Sequence, residues 1–307
     1  MKPCLTAICL TLALSLGTIS AAWSADLQKG ADAYKKGDFA TALREWKTIA
    51  EQGDARAQFN IGTMYYKGRG VPKDNKTSVK WYKLAAEQGY ATAQFSLGVM
   101  YHNGKGVPKD SKSAEKWYKL AAKQGNASAP HNLGVMYQNG DGVSRDHKTA
   151  VKWYRLAAEQ GNASAQFNLG VMYQNGDGVS QDHKTAVKWY RLAAEQGLAS
   201  AQFNLGVMHS SGQGVPDDDK TAVKWFRLAA EQGNISAQFN LGKMYHFGDG
   251  VQQDFVYARM WWDIVASSGD KDGVTFRDAV SKRLTPADIS KAQDLAHECV
   301  RKKYKDC

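Results

Sequence analysis

The chain has 307 residues and a formal net charge of +10, with 40 lysines and arginines against 30 aspartates and glutamates. Nine tryptophans, 14 tyrosines and ten phenylalanines supply ample material for a packed core, which excludes a mainly disordered chain. Length alone would suggest two globular domains, but the internal repetition of this sequence takes precedence over that estimate.

The N-terminal residues have the pattern of a secretory signal peptide. Lys2 gives a positive start, residues 5–19 form an uncharged apolar stretch, and small residues then allow cleavage after Ala22 or after Ser24. We therefore predict a signal peptide over residues 1–22 and export to the periplasm of a Gram-negative bacterium or to its surroundings. The apolar stretch is too short for a comfortable membrane span, so we expect no transmembrane segment in the mature chain. An uncleaved N-terminal anchor is the alternative.

Residues 26–53 predict an N-terminal pair of helices with a tight turn. From residue 54 to residue 269 the sequence then repeats itself six times. The segment Trp-Tyr-Arg-Leu-Ala-Ala-Glu-Gln-Gly occurs at 153–161 and again at 189–197, and the terminal glycines of successive repeats are 36 residues apart. Residues 270–307 predict two capping helices. Because one short helix pair cannot bury its apolar stripe alone, neighbouring pairs are expected to share one core.

Each repeat is predicted to form two antiparallel helices. In the fourth repeat Ala165 and Leu169 begin an apolar stripe at helical spacing, and Gly170 beside it indicates a close approach of two helices. Asp182 is placed to cap the second helix. The pattern predicts an all-α fold, an α-solenoid of helix–turn–helix repeats with an N-terminal helix pair and C-terminal capping helices.

The second helix of each of the first four repeats carries a Trp-Tyr pair, which is Trp153-Tyr154 in the third repeat. We expect the tryptophan to face the core, so that Trp153→Ala would cost about 3–5 kcal/mol, as truncations of buried tryptophans do. Lys152 is expected on the solvated side, where truncation costs little.

The repeats resemble the Sel-one-like repeat family, a branch of the tetratricopeptide-type helical repeats. The signature Ala-x-x-x-Leu-Gly-x-x-Tyr-x-x-Gly-x-Gly-Val-x-x-Asp…Ala-x-x-Trp-x-x-x-Ala-Ala-x-x-Gly is complete at residues 165–197, and the match extends over all six repeats. The resemblance implies a right-handed superhelix that serves as an adaptor, assembly factor or host-interaction factor, and it supplies no catalytic motif. Pro130-His131 in the third repeat and His209, at the usual tyrosine position, depart from the pattern.

The same resemblance places the first helix of each pair on the concave side of the superhelix. Inward positions there are aromatic and polar, which suits a peptide or another extended segment. The predicted binding residues are Phe59, Tyr66, Phe95, His102, His131, Gln138, Phe167, Gln174, Phe203, Ser210, Phe239, Lys243 and His246. The polar positions that vary between repeats are the stronger candidates, because the recurring phenylalanines are explained equally well by packing against the next repeat.

These patterns predict a non-catalytic scaffold that binds a protein or peptide segment in the cell envelope or outside the cell. The alternatives are an accessory that binds or processes peptidoglycan or polysaccharide, and a secreted host-interaction factor. Basic pairs such as Lys188 and Arg191 recur on the second helices, so an anionic polymer of the envelope or a membrane surface is a further candidate partner. A solvated face explains this basic stripe more simply.

Other classes of partner and site are not expected. Export disfavours nucleic acid as a partner, and the pattern contains no catalytic constellation and no cofactor motif. His147 and His183 are one repeat apart, without the close spacing of a metal site.

Cleavage of the signal peptide would leave two cysteines, Cys299 and Cys307. Such a pair in an exported protein favours a disulfide, with two free thiols as the alternative. A straight helix would hold them about 12 Å apart, too far for a disulfide bond. The helix is therefore expected to end near Lys303, with the tail folding back.

Overall fold

The computed structural model describes residues 25–307, and every regular element in this range is an α-helix. This all-α arrangement of helix–turn–helix repeats confirms the predicted fold class. The predicted signal peptide over residues 1–22, with its two candidate cleavage sites, lies outside the described residues. None of the described helices is both long and apolar enough to cross a membrane.

The helices fall into two compact units that divide between Arg145 and Asp146. The described part of the first unit contains α1 (25–35), α2 (Phe39–Glu51), α3 (Ala55–Lys67), α4 (Asn75–Glu87), α5 (Ala91–Asn103), α6 (Ser111–Lys123) and α7 (Ala129–Asn139). The second unit contains α8 (His147–Glu159), α9 (Ala163–Asn175), α10 (His183–Glu195), α11 (Ala199–Ser210), α12 (Asp219–Ala230), α13 (Ile235–Phe247), α14 (Phe255–Ser267), α15 (Lys271–Ser281) and α16 (Pro286–Arg301).

An aspartate begins the second helix of each repeat, as predicted. Asp182 accepts a hydrogen bond from the backbone N–H of Thr185 at 3.1 Å and another from the Thr185 hydroxyl at 2.6 Å. Bonds from the Thr185 hydroxyl and N–H lower the pKa of the Asp182 carboxyl. The cap satisfies a backbone donor that the first turn of a helix leaves unpaired. The same cap recurs at Asp74, Asp110, Asp146, Asp218 and Asp254.

The core is shared between the second helix of one repeat and the first helix of the next. In the second compact unit, Ala186 and Tyr190 of α10 pack with Leu205 and Met208 of α11, and all four are fully buried. Gly170 permits α9 to approach α10 closely, because a Cβ atom at this position would lie 2.7 Å from the Tyr190 ring. The predicted role of this glycine is confirmed.

The prediction that the tryptophan of the Trp-Tyr pair is a buried core residue is wrong. Tyr154 and Tyr190 are fully buried, whereas Trp153 and Trp189 are only half-buried. Adjacent helical residues point about 100° apart, so only one of the two rings can face the partner helix. In the fourth repeat that ring is Tyr190, which lies against Gly170.

Buried glutamine side chains join successive helix pairs. The Gln202 amide donates to the carbonyl oxygen of Ala194 at 3.1 Å and accepts a hydrogen bond from the Gln232 side chain at 2.8 Å. Gln166 makes the equivalent pair of bonds to Ala158 and with Gln196. A buried amide needs such partners, because leaving it unpaired costs about 1–3 kcal/mol. This recurring polar link was not predicted.

Two helices, α15 and α16, end the chain. Thr285 caps α16 and exchanges hydrogen bonds with Asp288 in a capping box, and Pro286 is the first helical residue. Beyond Arg301 the backbone reverses, with Lys303 and Tyr304 at positive φ. This reversal brings Cys307 back to Cys299, and a disulfide joins them with their Cα atoms 5.4 Å apart.

Removing this disulfide should destabilise the C-terminal cap. On the chain-entropy model, a loop closed across a sequence separation of eight residues contributes about 2–3 kcal/mol. We expect the double variant Cys299→Ser/Cys307→Ser to lose that amount in denaturant unfolding. Reductant should destabilise the parent protein similarly and leave the double variant unchanged. Alkylation of Cys299 and Cys307 in the unreduced, denatured parent protein, located by peptide mass spectrometry, would contradict the bond.

Candidate binding face

The predicted binding residues and their neighbours occupy three positions on the first helix of each repeat. The spacing of four and then three residues places the three side chains on one side of each helix. We call this row the first-helix face; it comprises Phe59, Thr63, Tyr66, Phe95, Val99, His102, His131, Val135, Gln138, Phe167, Val171, Gln174, Phe203, Val207, Ser210, Phe239, Lys243 and His246. Lys243 is exposed and the others are half-buried, so this face is neither core nor fully solvated.

In the first compact unit the rows of α3 and α5 meet. Tyr66 of α3 and Phe95 and Val99 of α5 line a cleft of about 130 Å³, which Tyr82, Ser96 and Met100 complete. The structure thus brings together predicted site residues that are about 30 positions apart in sequence. The cleft is large enough for a small apolar side chain.

The recurring phenylalanines each have one supported ring face. Phe167 packs on Tyr190 with ring centroids 5.7 Å apart, and Phe203 packs on Phe226 at 5.9 Å. In both cases the partner belongs to the second helix of the same repeat. Phe95 lies against Tyr118 in the same way, at 5.7 Å. These rings are therefore packed and still half-accessible, which is the state of an aromatic ring that can receive a ligand.

The polar members of the row are oriented by neighbouring groups. Gln174 accepts a hydrogen bond from the Tyr190 hydroxyl at 2.5 Å, and the Ser210 hydroxyl donates to the carbonyl oxygen of Val207 at 3.3 Å. The His246 ring lies between Trp262 and Phe255, with ring centroids 5.5 and 5.2 Å away. Each of these polar groups is held by its own first or second helix.

The first-helix face is nearly uncharged near neutral pH. Burial lowers the pKa of His246, with a further contribution from Arg283, and burial also lowers the pKa of His131. Both imidazoles are therefore mainly neutral at pH 7, and the row contains no carboxylate and one lysine, Lys243. A neutral row of rings and hydrogen-bonding groups suits apolar side chains and backbone amides more than a charged ligand.

His209 replaces the tyrosine that most other repeats have at this position, and this changes a contact outside the first-helix face. The tyrosines at equivalent positions accept hydrogen bonds from a cation of the preceding second helix: Tyr173 from Arg155 at 2.7 Å, and Tyr245 from Arg227 at 2.9 Å. His209 is 8% exposed, and neither ring nitrogen has a hydrogen-bond partner. Burial and the nearby Arg191 lower its pKa.

Within residues 25–307, no group of three or more histidine, cysteine, aspartate or glutamate side chains is arranged to hold a metal ion. The disulfide already engages both described cysteines. The candidate site is therefore an extended face of rings and neutral polar groups.

Stacked helix–turn–helix pairs with a shared core define a tetratricopeptide-like α-solenoid repeat protein. Six consecutive segments match the Sel1 repeat model, and the chain belongs to that family. The matched residues are 55–90, 91–126, 127–162, 163–198, 199–234 and 235–270. Proteins of this family generally act as protein-interaction scaffolds and are typically non-catalytic.

Two solved structures are similar over most of the chain. A Sel1 repeat protein from Oxalobacter formigenes is 35% identical, with a TM-score of 0.69, over 78% of this chain and 96% of that one. A protective antigen present in uropathogenic Escherichia coli strains, which displays the same repeat fold, is 31% identical with a TM-score of 0.60. That match covers 94% of this chain and 71% of the other. A comparison with curated protein sequences finds no match.

Proposed function

We propose that this protein is a non-catalytic scaffold that holds an extended segment of a protein partner along the first-helix face. The observation that carries the proposal is the row of half-buried rings and neutral polar groups that recurs on successive first helices. Aromatic side chains supported on one side provide large contact areas at low entropic cost, which makes them frequent anchors in protein recognition.

The chemistry of the face favours a peptide-like occupant. In the first compact unit the cleft at Tyr66, Phe95 and Val99 suits an apolar side chain, and in the second unit polar groups such as Gln174 and Ser210 suit backbone amides. An extended segment advances about 3.3 Å per residue, so a segment of moderate length contacts the first helices of successive repeats within one compact unit. Affinity would then accumulate over many modest contacts.

We further propose that the protein is exported and acts in the periplasm or outside the cell. This part of the proposal rests on the signal-peptide pattern of residues 1–22. Mass spectrometry of the protein recovered from periplasmic and culture fractions tests it, with an N-terminus at residue 23 or residue 25 as the expected result. An intact N-terminus in the cytosolic fraction alone would contradict export.

Affinity capture with matched variants tests the binding face. The face variant carries Gln174→Glu, Ser210→Glu and Lys243→Glu. The control variant carries the same charge changes at exposed positions elsewhere, Ser200→Glu, Gln213→Glu and Lys282→Glu. Proteins captured by the parent from envelope and culture fractions are identified, and their affinities are measured with purified components. We expect the face variant to bind at least about tenfold more weakly, because desolvated interface positions tolerate added charge poorly.

The control variant should bind as the parent does, and both variants should retain the parent's helical circular dichroism. Equal binding by all three proteins would place the partner elsewhere and contradict the proposal. Recovery of glycan with every bait, and of no protein, would favour the polysaccharide-binding alternative.

A further inference from the structure

The second helices of the second compact unit present a cationic and apolar surface. α8 and α10 have identical sequences, and α12 differs at only two positions, Asp219 and Phe226. Each of these three helices carries two lysines and an arginine on one face, and a leucine follows the arginine directly in sequence. The leucines are unusually exposed for their type: Leu156 is 37% exposed, and Leu192 and Leu228 are each 44% exposed.

This surface forms a cleft at α10. Lys184, Lys188 and Arg191 line it together with Val187 and Leu192, and Gly214-Val215 of the following loop completes it, enclosing about 490 Å³. The loop lies directly on the first turn of α10, because a Cβ atom at Gly214 would be 2.5 Å from the carbonyl carbon of His183. The cleft therefore has an apolar floor and three cations around it.

In the other four repeats that have a lysine or arginine at the position of Arg191, that cation has a partner. Arg155 and Arg227 donate to tyrosine hydroxyls, and in the first compact unit Lys83 and Lys119 form ion pairs with Glu87 and Glu115. At Arg191 the tyrosine is replaced by His209, whose ring nitrogens are both unpaired.

The nearby acids form no ion pair with the cations of the cleft. Within the described chain, no carboxylate lies within 4 Å of the charged nitrogens of Lys184, Lys188 or Arg191. Asp182 and Asp218 cap α10 and α12 through Thr185 and Thr221. Glu195 is one turn beyond Arg191 and is exposed. Three unpaired cations around exposed apolar groups are complementary to an amphiphile with an anionic head.

We propose that the cleft at α10 binds the phosphate headgroup of an anionic phospholipid, with the exposed leucines against the lipid surface. Basic and apolar side chains on one helix face are the combination that binds an anionic membrane interface. Leucines at one position on three successive second helices fit an extended surface more than a single peptide. This interaction uses a different surface from the first-helix face, so both can be occupied together.

Vesicle co-sedimentation tests the proposal. The protein is produced from its full-length sequence and purified from the fraction in which it accumulates. Its binding to phosphatidylcholine vesicles is compared with binding to the same vesicles containing phosphatidylglycerol. We expect binding only to the anionic vesicles, and weaker binding at high salt. Arg191→Gln should weaken it about fivefold, the effect of one basic residue at such a surface.

Two matched variants assign the effect to the cleft. His209→Tyr restores the hydroxyl that would hold Arg191, without removing a positive charge, and should also weaken vesicle binding. Arg155→Gln changes the same residue of an identical helix where a tyrosine already holds the guanidinium, and should have a smaller effect than Arg191→Gln.

Replacing the three exposed leucines with serine should weaken binding more than tenfold, because each loses apolar contact with the lipid.

Several results would overturn the assignment. Equal binding to both kinds of vesicle, or equal effects of Arg191→Gln and Arg155→Gln, would remove the cleft as the site. Displacement of bound vesicles by polyglutamate or by inorganic phosphate at the same anion concentration would show a general anion site in place of a lipid site. Unchanged thermal melts of the variants exclude misfolding as the cause of lost binding.

Discussion

Replacing Tyr190 with alanine should lower the free energy of unfolding by about 3–5 kcal/mol, the range for a large buried aromatic side chain. Its ring is fully buried, lies against Gly170 and is 5.7 Å from the ring of Phe167. Its hydroxyl donates to Gln174 at 2.5 Å, and burial raises its pKa to about 12. Truncation would therefore leave a cavity between α9 and α10 and an unpaired amide oxygen.

The adjacent residue provides the control for this experiment. Trp189 is larger than Tyr190 but only half-buried, so Trp189→Ala should cost less than Tyr190→Ala in urea unfolding monitored by circular dichroism. Tyr190→Phe should cost about 1 kcal/mol, the net contribution of one hydrogen bond. A larger loss for Trp189→Ala than for Tyr190→Ala would show that the tryptophan is the principal core residue after all.

Replacing Trp262 with alanine should also cost about 3–5 kcal/mol, and the loss should be concentrated at the C-terminal end. Trp262 stands in the sixth repeat where most other repeats have tyrosine, and it is 1% exposed. Its ring contacts Phe276 at a centroid distance of 5.2 Å, and its indole N–H donates to the carbonyl oxygen of Phe239 at 3.2 Å. The side chain thus joins α13, α14 and α15.

A conservative pair of variants separates packing from hydrogen bonding at this site. Trp261 is equally buried, but its indole N–H has no hydrogen-bond partner. Both tryptophan-to-phenylalanine changes remove similar volume, whereas only Trp262→Phe removes a hydrogen bond. We expect Trp262→Phe to be about 1 kcal/mol more destabilising than Trp261→Phe. Hydrogen exchange should show the additional opening in α13 to α16, and uniform opening of the second compact unit would contradict a local effect.

The candidate site was only partly predictable. The residues of the first-helix face could be chosen from their spacing, because positions four and three residues apart share one side of a helix. The cleft at Tyr66, Phe95 and Val99 required the structure, since it forms between two helices. The cleft at α10 was anticipated only as part of a basic stripe. The cleft is distinguished by His209, which stands 18 residues beyond Arg191 on the next helix. Other repeats have a tyrosine at this position, and its hydroxyl binds the cation.

The sequence by itself determined the helical repeats, their period, their capping aspartates and their glycine turns. These features depend on hydrogen bonds and backbone angles within a few residues, so local residue types are sufficient to specify them. Only the tertiary structure decided which ring of each Trp-Tyr pair is buried, how Gln202 joins neighbouring repeats, and which cation lacks a partner. Each of these outcomes depends on the surface that an adjacent helix presents, and that surface is defined only when the helices pack.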